Sequence, residues 1–244
     1  MPPRPSRSKQ PGSKSAHRTT PAAAVDPAER RRAGRVYRKL AATYPDAHCA
    51  LQHDNPFQLL VATILSAQCT DVRVNMVTPA LFKRYSDAAA LANAKQADVE
   101  ALVRTTGFYR NKARSLIGAA RAITDHHAGE VPRTMNELLA LPGVARKTAN
   151  VLLGNAFNIN VGVVVDTHVA RLSHRLGFTR HTDAKKIELD LIPLFPKKNW
   201  TMLAHLLIFH GRSICKARTP LCDTCPVNRD CPKIGVATKQ PLRG

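Results

Sequence analysis

The chain has 244 residues, which is enough for one or two domains with sizeable hydrophobic cores. It carries 37 Lys and Arg against 17 Asp and Glu, a formal net charge of +20. A protein this basic favours a polyanionic partner such as nucleic acid. No apolar run reaches the length of about 18 residues that a membrane helix requires, so we expect no membrane partner.

Residues 1–26 are predicted to form a disordered basic arm, rich in proline. The arm lacks the hydrophobic segment of a secretory signal, which argues against an exported disulfide protein. A transit peptide is the second interpretation, although the prolines would interrupt its helix. We therefore expect a cytoplasmic, nucleoid-associated protein if the source is bacterial, and an organellar or nuclear one if it is eukaryotic.

The rest of the chain predicts a series of helices. Asp26-Pro27 and Asn55-Pro56 each combine an N-cap residue with proline at the first helical position. Thr134 and Glu137 form a capping box before another helix. Further helices are expected over 71–85, 86–94, 97–105 and 110–127, near Arg146, and after Asp166, Thr182 and Asn199. Only residues 161–165 resemble a strand, and without a partner they do not predict a sheet. The sequence therefore predicts an all-α fold.

Residues 141–147, Leu-Pro-Gly-Val-Ala-Arg-Lys, form a tight turn between two predicted helices. The unsatisfied amides and the dipole at the start of the second helix would favour a bound phosphate, although an ordinary helix connection fits equally well. The helical period places Lys147 opposite the apolar face, beside Val151 and Gly154. Lys147 is either a solvated lysine or an amine that attacks a sugar carbon to form a Schiff base.

An apolar run at 163–165 leads to Asp166 at the start of a helix, with His168 two residues later. Taken alone, Asp166 is most simply an N-cap and His168 a hydrogen-bonded helix residue.

The strongest local signal is the spacing C-x6-C-x2-C-x5-C formed by Cys215, Cys222, Cys225 and Cys231. Four thiolates this close together predict a metal site, and both zinc and a [4Fe–4S] cluster accept four cysteines. The neighbouring bases, among them Lys216 and Arg218, can reach phosphates. Cys49 and Cys69 stand apart and are expected to be small core residues.

Five motifs together resemble the endonuclease III family of helix-hairpin-helix DNA glycosylases, over about residues 30–235. They are residues 66–71 (SAQCTD), 107–113 (GFYRNKA), 141–150 (LPGVARKTAN) and 165–169 (VDTHV), and the cysteine spacing. The resemblance implies two helical domains with a DNA-binding cleft between them. The six-helix domain, at 49–160, contains the helix-hairpin-helix; the iron–sulfur domain combines 27–48 with 161–235 and holds a [4Fe–4S] cluster. Residues 236–244 form a tail.

The same resemblance implies roles for individual residues. Lys147 matches the lysine nucleophile and Asp166 the catalytic aspartate. Gln68 matches the residue that fills the gap left by a flipped nucleotide, and Phe108 and Tyr109 match a wedge against the opposite strand. Further DNA contacts are expected from Ser66, Gly143, Ala145, Arg146, His168, Lys216 and Arg218. The implied protein is a monomeric, bifunctional glycosylase and AP lyase that removes oxidised pyrimidines from damaged double-stranded DNA.

Two positions depart from the family pattern. Ala145 replaces a second hairpin glycine, which would cost about 1 kcal/mol if that position required positive φ. Thr219 replaces a lysine often found between the first two cluster cysteines. We expect weaker DNA affinity or narrower substrate use as a result.

Two other functions remain in competition at this point. A monofunctional adenine mismatch glycosylase would share the hairpin and cluster, but it lacks a lysine at the position of Lys147 and usually carries a further C-terminal domain. A non-enzymatic, metal-containing DNA-binding protein would not need both Lys147 and Asp166.

Overall fold

The computed structural model describes residues 25–236, which contain eleven α-helices. The helices are α1 (Pro27–Thr43), α2 (Pro56–Leu65), α3 (Asp71–Arg84), α4 (Ala88–Ala92), α5 (Gln96–Val103), α6 (Tyr109–His126), α7 (Met135–Ala140), α8 (Arg146–Ala156), α9 (Thr167–Arg175), α10 (Ala184–Leu191) and α11 (Trp200–Ser213). Short 3-10 segments occur at Arg104–Thr106, Ile192–Leu194, Lys197–Asn199 and Asn228–Asp230. The predicted basic arm and C-terminal tail lie almost entirely outside the described residues.

Most helices begin where a short polar side chain accepts a hydrogen bond from the first turn, which satisfies an otherwise unpaired amide. Asp26 and Asn55 do this before the prolines that start α1 and α2, as predicted. Thr134 caps α7 in the same way. Helix α10 begins after Asp183, one residue beyond the predicted Thr182, because the Asp183 carboxylate accepts from the amide of Lys186.

Two separate apolar cores organise these helices. Helices α2–α8 bury the first, where α6 packs against α4 and α5, and α8 packs against α2 and α7. The second is built by α1 and α9–α11, with α11 packed against both α1 and α9. Residues 163–165 are buried in the second core, and no strand forms within 25–236. The all-α fold with two helical regions is thus confirmed, while the exact domain boundaries stay a prediction.

Polar contacts join the two regions. The Arg146 side chain of α8 pairs with Glu188 of α10. His205 Nε2 of α11 lies 2.7 Å from Asn155 Oδ1 of α8. These contacts fix the α8 helix against the second region and so help to define the cleft described below.

None of the helices in residues 25–236 combines the length and the apolar character needed to cross a membrane.

Candidate active site

A cleft of about 720 Å³ lies between the two cores. Its walls bring together five of the residues predicted from sequence, namely Ser66, Gln68, Lys147, Asp166 and His168. The other predicted residues lie elsewhere. Phe108 and Tyr109 line a separate surface depression, and Lys216 and Arg218 belong to the cysteine loop. The cleft therefore gathers the predicted reactive groups with some of the predicted DNA contacts, while the other predicted contacts lie on separate loops.

The hairpin between α7 and α8 has one position that requires glycine. Gly143 has φ +78°, and a β-carbon there would lie 2.6 Å from the Cβ of Ser115. Ala145, in contrast, has φ −96° and ψ 171°, an extended conformation that any residue adopts. The prediction of a backbone cost at Ala145 is therefore wrong, because Gly143, and not Ala145, is the hairpin residue with positive φ. The predicted loss of DNA affinity has no basis in strain at Ala145.

The start of α8 is available to an anion. Ala145 is its N-cap and offers no side-chain hydrogen bond, unlike the capped starts of α1, α2 and α7. The first amides of the helix therefore keep their hydrogen-bonding capacity, and the helix dipole adds positive potential. Lys147, in the first turn, is exposed and lines the cleft. This arrangement places a primary amine beside a natural phosphate site.

The side chain of the neighbouring Arg146 is held by an ion pair with Glu188. Its Nε and Nη2 donate to the two carboxylate oxygens of Glu188 at 2.9 and 3.2 Å, and Asn150 Nδ2 donates to the same carboxylate at 3.1 Å. Glu188 is only 4% exposed. Hydrogen bonding to Glu188 raises the pKa of Arg146. Arg146 therefore holds the start of α8 in place, and its charge is largely balanced before any phosphate binds.

Gly154, predicted to share the exposed face of Lys147, is instead covered by α11. A β-carbon there would clash with Oγ1 of Thr201. Val151, the other predicted neighbour, does line the cleft.

Asp166 caps a helix and also lines the cleft. Its Oδ1 accepts a hydrogen bond from the amide of Val169 at 2.8 Å, so it is the N-cap of α9. It also lines the cleft that contains Lys147, and no other described residue donates a hydrogen bond to its Oδ2. Capping fixes the orientation of the carboxylate, and Oδ2 remains free to act on a group bound in the cleft.

His168 is placed to donate or accept hydrogen bonds and not to carry charge. Burial, together with the nearby Arg171 and Arg212, lowers its pKa, although Asp166 acts in the opposite direction. Its Nδ1 lies 3.1 Å from Nη2 of Arg171. The imidazole is therefore neutral at neutral pH and is oriented by its arginine neighbour.

Two loops present side chains in left-handed backbone conformations. Gln68 has φ 52° in the loop of residues 66–70, here named the Gln68 loop. Phe108 has φ 47° in the loop of residues 107–108, the Phe108 loop, and the residue is 65% exposed. Positive φ is uncommon for residues other than glycine, and such positions concentrate at functional sites. An exposed phenylalanine ring is suited to stacking against bases.

The four predicted metal ligands line one largely apolar pocket together with side chains of α9 and α11. Nη1 of Arg175 lies 3.3 Å from the sulfur of Cys215, and Nε2 of His210 lies 3.4 Å from that of Cys225. Both contacts suit thiolates, which accept hydrogen bonds. Arg175 also donates to the carbonyls of Lys216 and Ala217, so it shapes the basic loop. Cys49 and Cys69, predicted as core residues, are only partly buried.

In the part of the chain that the structure describes, no three His, Cys, Asp or Glu side chains lie close enough to share a single metal ion. The four cysteines nevertheless face a common pocket. The reason to expect a cluster of several metal atoms is therefore that four cysteine sulfurs line one pocket. The side chains are not arranged around a single metal ion.

Sequence reasoning missed three buried charged residues that organise the site, Lys112, Arg175 and Glu188. For Lys112 a signal was available. It lies four residues before Leu116 on the buried face of α6, where the helical period predicts an apolar residue. A charged residue on a buried helix face requires specific partners.

Comparison with known proteins agrees with this architecture. Residues 61–197 match the family described as HhH-GPD superfamily base excision DNA repair protein. A protein of Synechocystis sp. named Endonuclease III is 54% identical over 204 residues, which cover 84% of this chain and 93% of the relative. Two solved structures, a non-covalent Endonuclease III–DNA complex and a trapped Endonuclease III–DNA covalent intermediate, are each 43% identical with a TM-score of 0.79. Each covers 84% of this chain, which spans 95% and 96% of theirs.

Proposed function

Because the chain belongs to the endonuclease III family of base-excision DNA repair proteins, we propose that it is a bifunctional DNA glycosylase and AP lyase. The observation that carries this proposal is that Lys147 and Asp166 line the same cleft. The amine is exposed at an uncapped helix start, and the carboxylate is oriented by its own helix cap.

Binding begins with the DNA backbone. The net charge of +20 attracts the duplex, and the first amides of α8 receive a phosphate next to the damaged nucleotide. Further phosphate contacts come from the basic cysteine loop with Lys216 and Arg218. A base inside the duplex is out of reach of the cleft, so it must be flipped out at a cost of a few kcal/mol. Gln68 fills the gap left behind, and Phe108 and Tyr109 support the opposite strand.

The reaction then takes place at the flipped nucleotide. The amine of Lys147 attacks C1′, while the bond between C1′ and the base breaks and the base leaves with the electron pair. Asp166 stabilises the positive charge that develops on the sugar and accepts a proton from the attacking amine. Opening of the sugar ring gives a Schiff base. Loss of the C2′ proton then breaks the bond between C3′ and its oxygen, which cleaves the strand by β-elimination.

The cofactor in this proposal is a [4Fe–4S] cluster held by Cys215, Cys222, Cys225 and Cys231. The shared pocket and the contacts from Arg175 and His210 to the sulfurs support this ligand set. When bound, the cluster would cross-link the loop of residues 215–231 and hold its basic side chains toward DNA. A brown protein with about four irons per chain is expected, and Cys222→Ser should lose that colour. A colourless protein that retains one zinc would contradict the assignment.

We propose oxidised pyrimidines of the thymine glycol type as substrates and a monomer as the active form, in the compartment that contains the cell's DNA. Two duplexes with the same flanking sequence test the substrate class. One contains thymine glycol opposite adenine, and the other contains adenine opposite 8-oxoguanine. Strand cleavage of the first alone is expected. Base release without strand cleavage, from the second alone, would instead indicate the adenine mismatch glycosylase. Binding without reaction on either duplex would reduce the function to DNA binding.

A further inference from the structure

Lys112 is a buried cation with no role in the chemistry proposed above. The residue is 5% exposed and lies on the inner face of α6. Burial lowers the pKa of its amine. Among the ion pairs of the described residues, none involves Lys112. A buried ammonium is costly unless other groups stabilise it, so its partners indicate why it is there.

The partners of Lys112 are two backbone carbonyls. Its Nζ donates to the carbonyl oxygen of Leu65 at 2.8 Å and to that of Thr106 at 2.7 Å. Leu65 is the last residue of α2, and Thr106 is the last residue of the 3-10 segment. Both acceptors therefore lie at helix ends, where the backbone dipoles favour a positive charge.

These two carbonyls stand at the bases of the two loops that are proposed to enter DNA. The Gln68 loop begins immediately after Leu65, and the Phe108 loop begins immediately after Thr106. Each loop carries a residue with positive φ, at Gln68 and at Phe108. Such conformations persist only where the surrounding structure holds them in place.

We infer that Lys112 is a positioning residue that couples the Gln68 loop to the Phe108 loop, so that both enter the duplex as one rigid pair. This inference rests on the proposed function. A single ammonium fixes the distance between the two loop bases, and therefore between the side chain that fills the gap and the ring that supports the opposite strand. Opening a fully paired duplex requires both at once, whereas DNA that is already unpaired around the lesion requires less.

The test uses Lys112→Met, which removes the ammonium and retains an unbranched side chain. Single-turnover excision of thymine glycol is compared between a fully paired duplex and one with mismatches on both sides of the lesion. Loss of loop positioning should slow excision roughly 100-fold on the paired duplex and much less on the mismatched one. Lys112→Gln, whose amide can still donate to a carbonyl, should recover part of the paired-duplex rate. Lys83→Met, at an exposed position of α3, is the matched control and should leave both rates unchanged.

A second readout follows opening directly, through the fluorescence of 2-aminopurine placed next to the lesion. Lys112→Met should reduce the fluorescence rise on the paired duplex. Equal loss of excision on both duplexes, or no loss on either, would overturn the inference. If Lys112→Met does not fold, Lys112→Gln carries the same comparison. If the parent protein excises from neither duplex, the proposed function fails, and the inference that depends on it fails with it.

Discussion

At the residue scale, the hairpin shows how two positions only two residues apart can differ in the side chains that they tolerate. Gly143 combines positive φ with close contact to Ser115, whereas Ala145 is extended and exposed. The family glycine that Ala145 replaces is therefore not required here for backbone conformation. Any effect of Ala145 on phosphate binding must come from its methyl group alone.

Gly143→Ala should destabilise the fold by about 1–3 kcal/mol, because it forces a β-carbon into a left-handed residue and against Ser115. Ala145→Gly should change stability by less than about 1 kcal/mol, because the better capping by glycine is offset by the greater freedom that glycine gives the unfolded chain. Urea unfolding measures stability, and titration with an undamaged duplex measures affinity. A stable Gly143→Ala variant with unchanged affinity would contradict the geometry of the hairpin.

Asp166 allows its structural role to be separated from its chemical role. Asp166→Asn keeps an oxygen to accept from the amide of Val169 but removes the charge. Stability should therefore stay within about 0.5 kcal/mol of the parent, because Asn and Asp cap helices equally well. Excision should fall by roughly 100-fold or more, the usual contribution of a general acid or base.

The matched control for this change is Asp183→Asn. Asp183 caps α10 through the same kind of contact, to the amide of Lys186 at 3.0 Å, but it is not among the residues that line the cleft. Its substitution should leave excision unchanged. Similar activity losses in the two variants would show that removing the charge of any capping aspartate lowers activity, and would contradict a chemical role for Asp166 in the cleft.

At the element scale, contacts between helices from the two cores shape the cleft, and one of them is sensitive to pH. His205 of α11 faces Asn155 of α8. Burial, with His48 nearby, lowers the pKa of His205 to about 4. In the unfolded chain the same imidazole has a pKa of about 6.5. Between these values the unfolded state binds more protons, so stability falls as pH decreases.

His205→Gln removes the titrating group and keeps a donor for Asn155. Lowering the pH from about 7 to about 5 should destabilise the parent by about 2 kcal/mol more than the variant. Urea unfolding of both proteins at the two pH values measures this difference. Equal losses in parent and variant would mean that His205 titrates normally in the folded protein.

Helix existence and most helix starts could be predicted from sequence, because capping and proline signals are local. The pairs Asp26-Pro27 and Asn55-Pro56 begin helices where expected. The single-residue difference at Asp183 arose because two adjacent residues can both serve as N-cap. The buried contacts of Lys112 and Glu188 could not be predicted, because local signals do not indicate partners that are distant in the chain. Lys112 contacts Leu65, and Glu188 contacts Arg146 and Asn150; each of these partners lies 38 or more residues away.

At the scale of the whole molecule, the two cores divide the tasks of the site. The first core carries Lys147 on α8 and the two loops that are proposed to enter DNA, and the second carries Asp166 at the start of α9 and the cysteine loop. The fold brings five residues of the sequence motifs to one cleft, namely Ser66, Gln68, Lys147, Asp166 and His168. The roles proposed for them depend on chemistry, and the lysine nucleophile is the central claim.

The most direct test of that claim is borohydride trapping on a thymine glycol duplex, with the parent compared to Lys147→Ala. Borohydride reduces a Schiff base to a stable amine, so it records the covalent intermediate itself. We predict a protein–DNA adduct with the parent and none with Lys147→Ala, although both proteins bind the duplex. An adduct of equal yield in the variant, or base release by the parent without any adduct, would contradict the account.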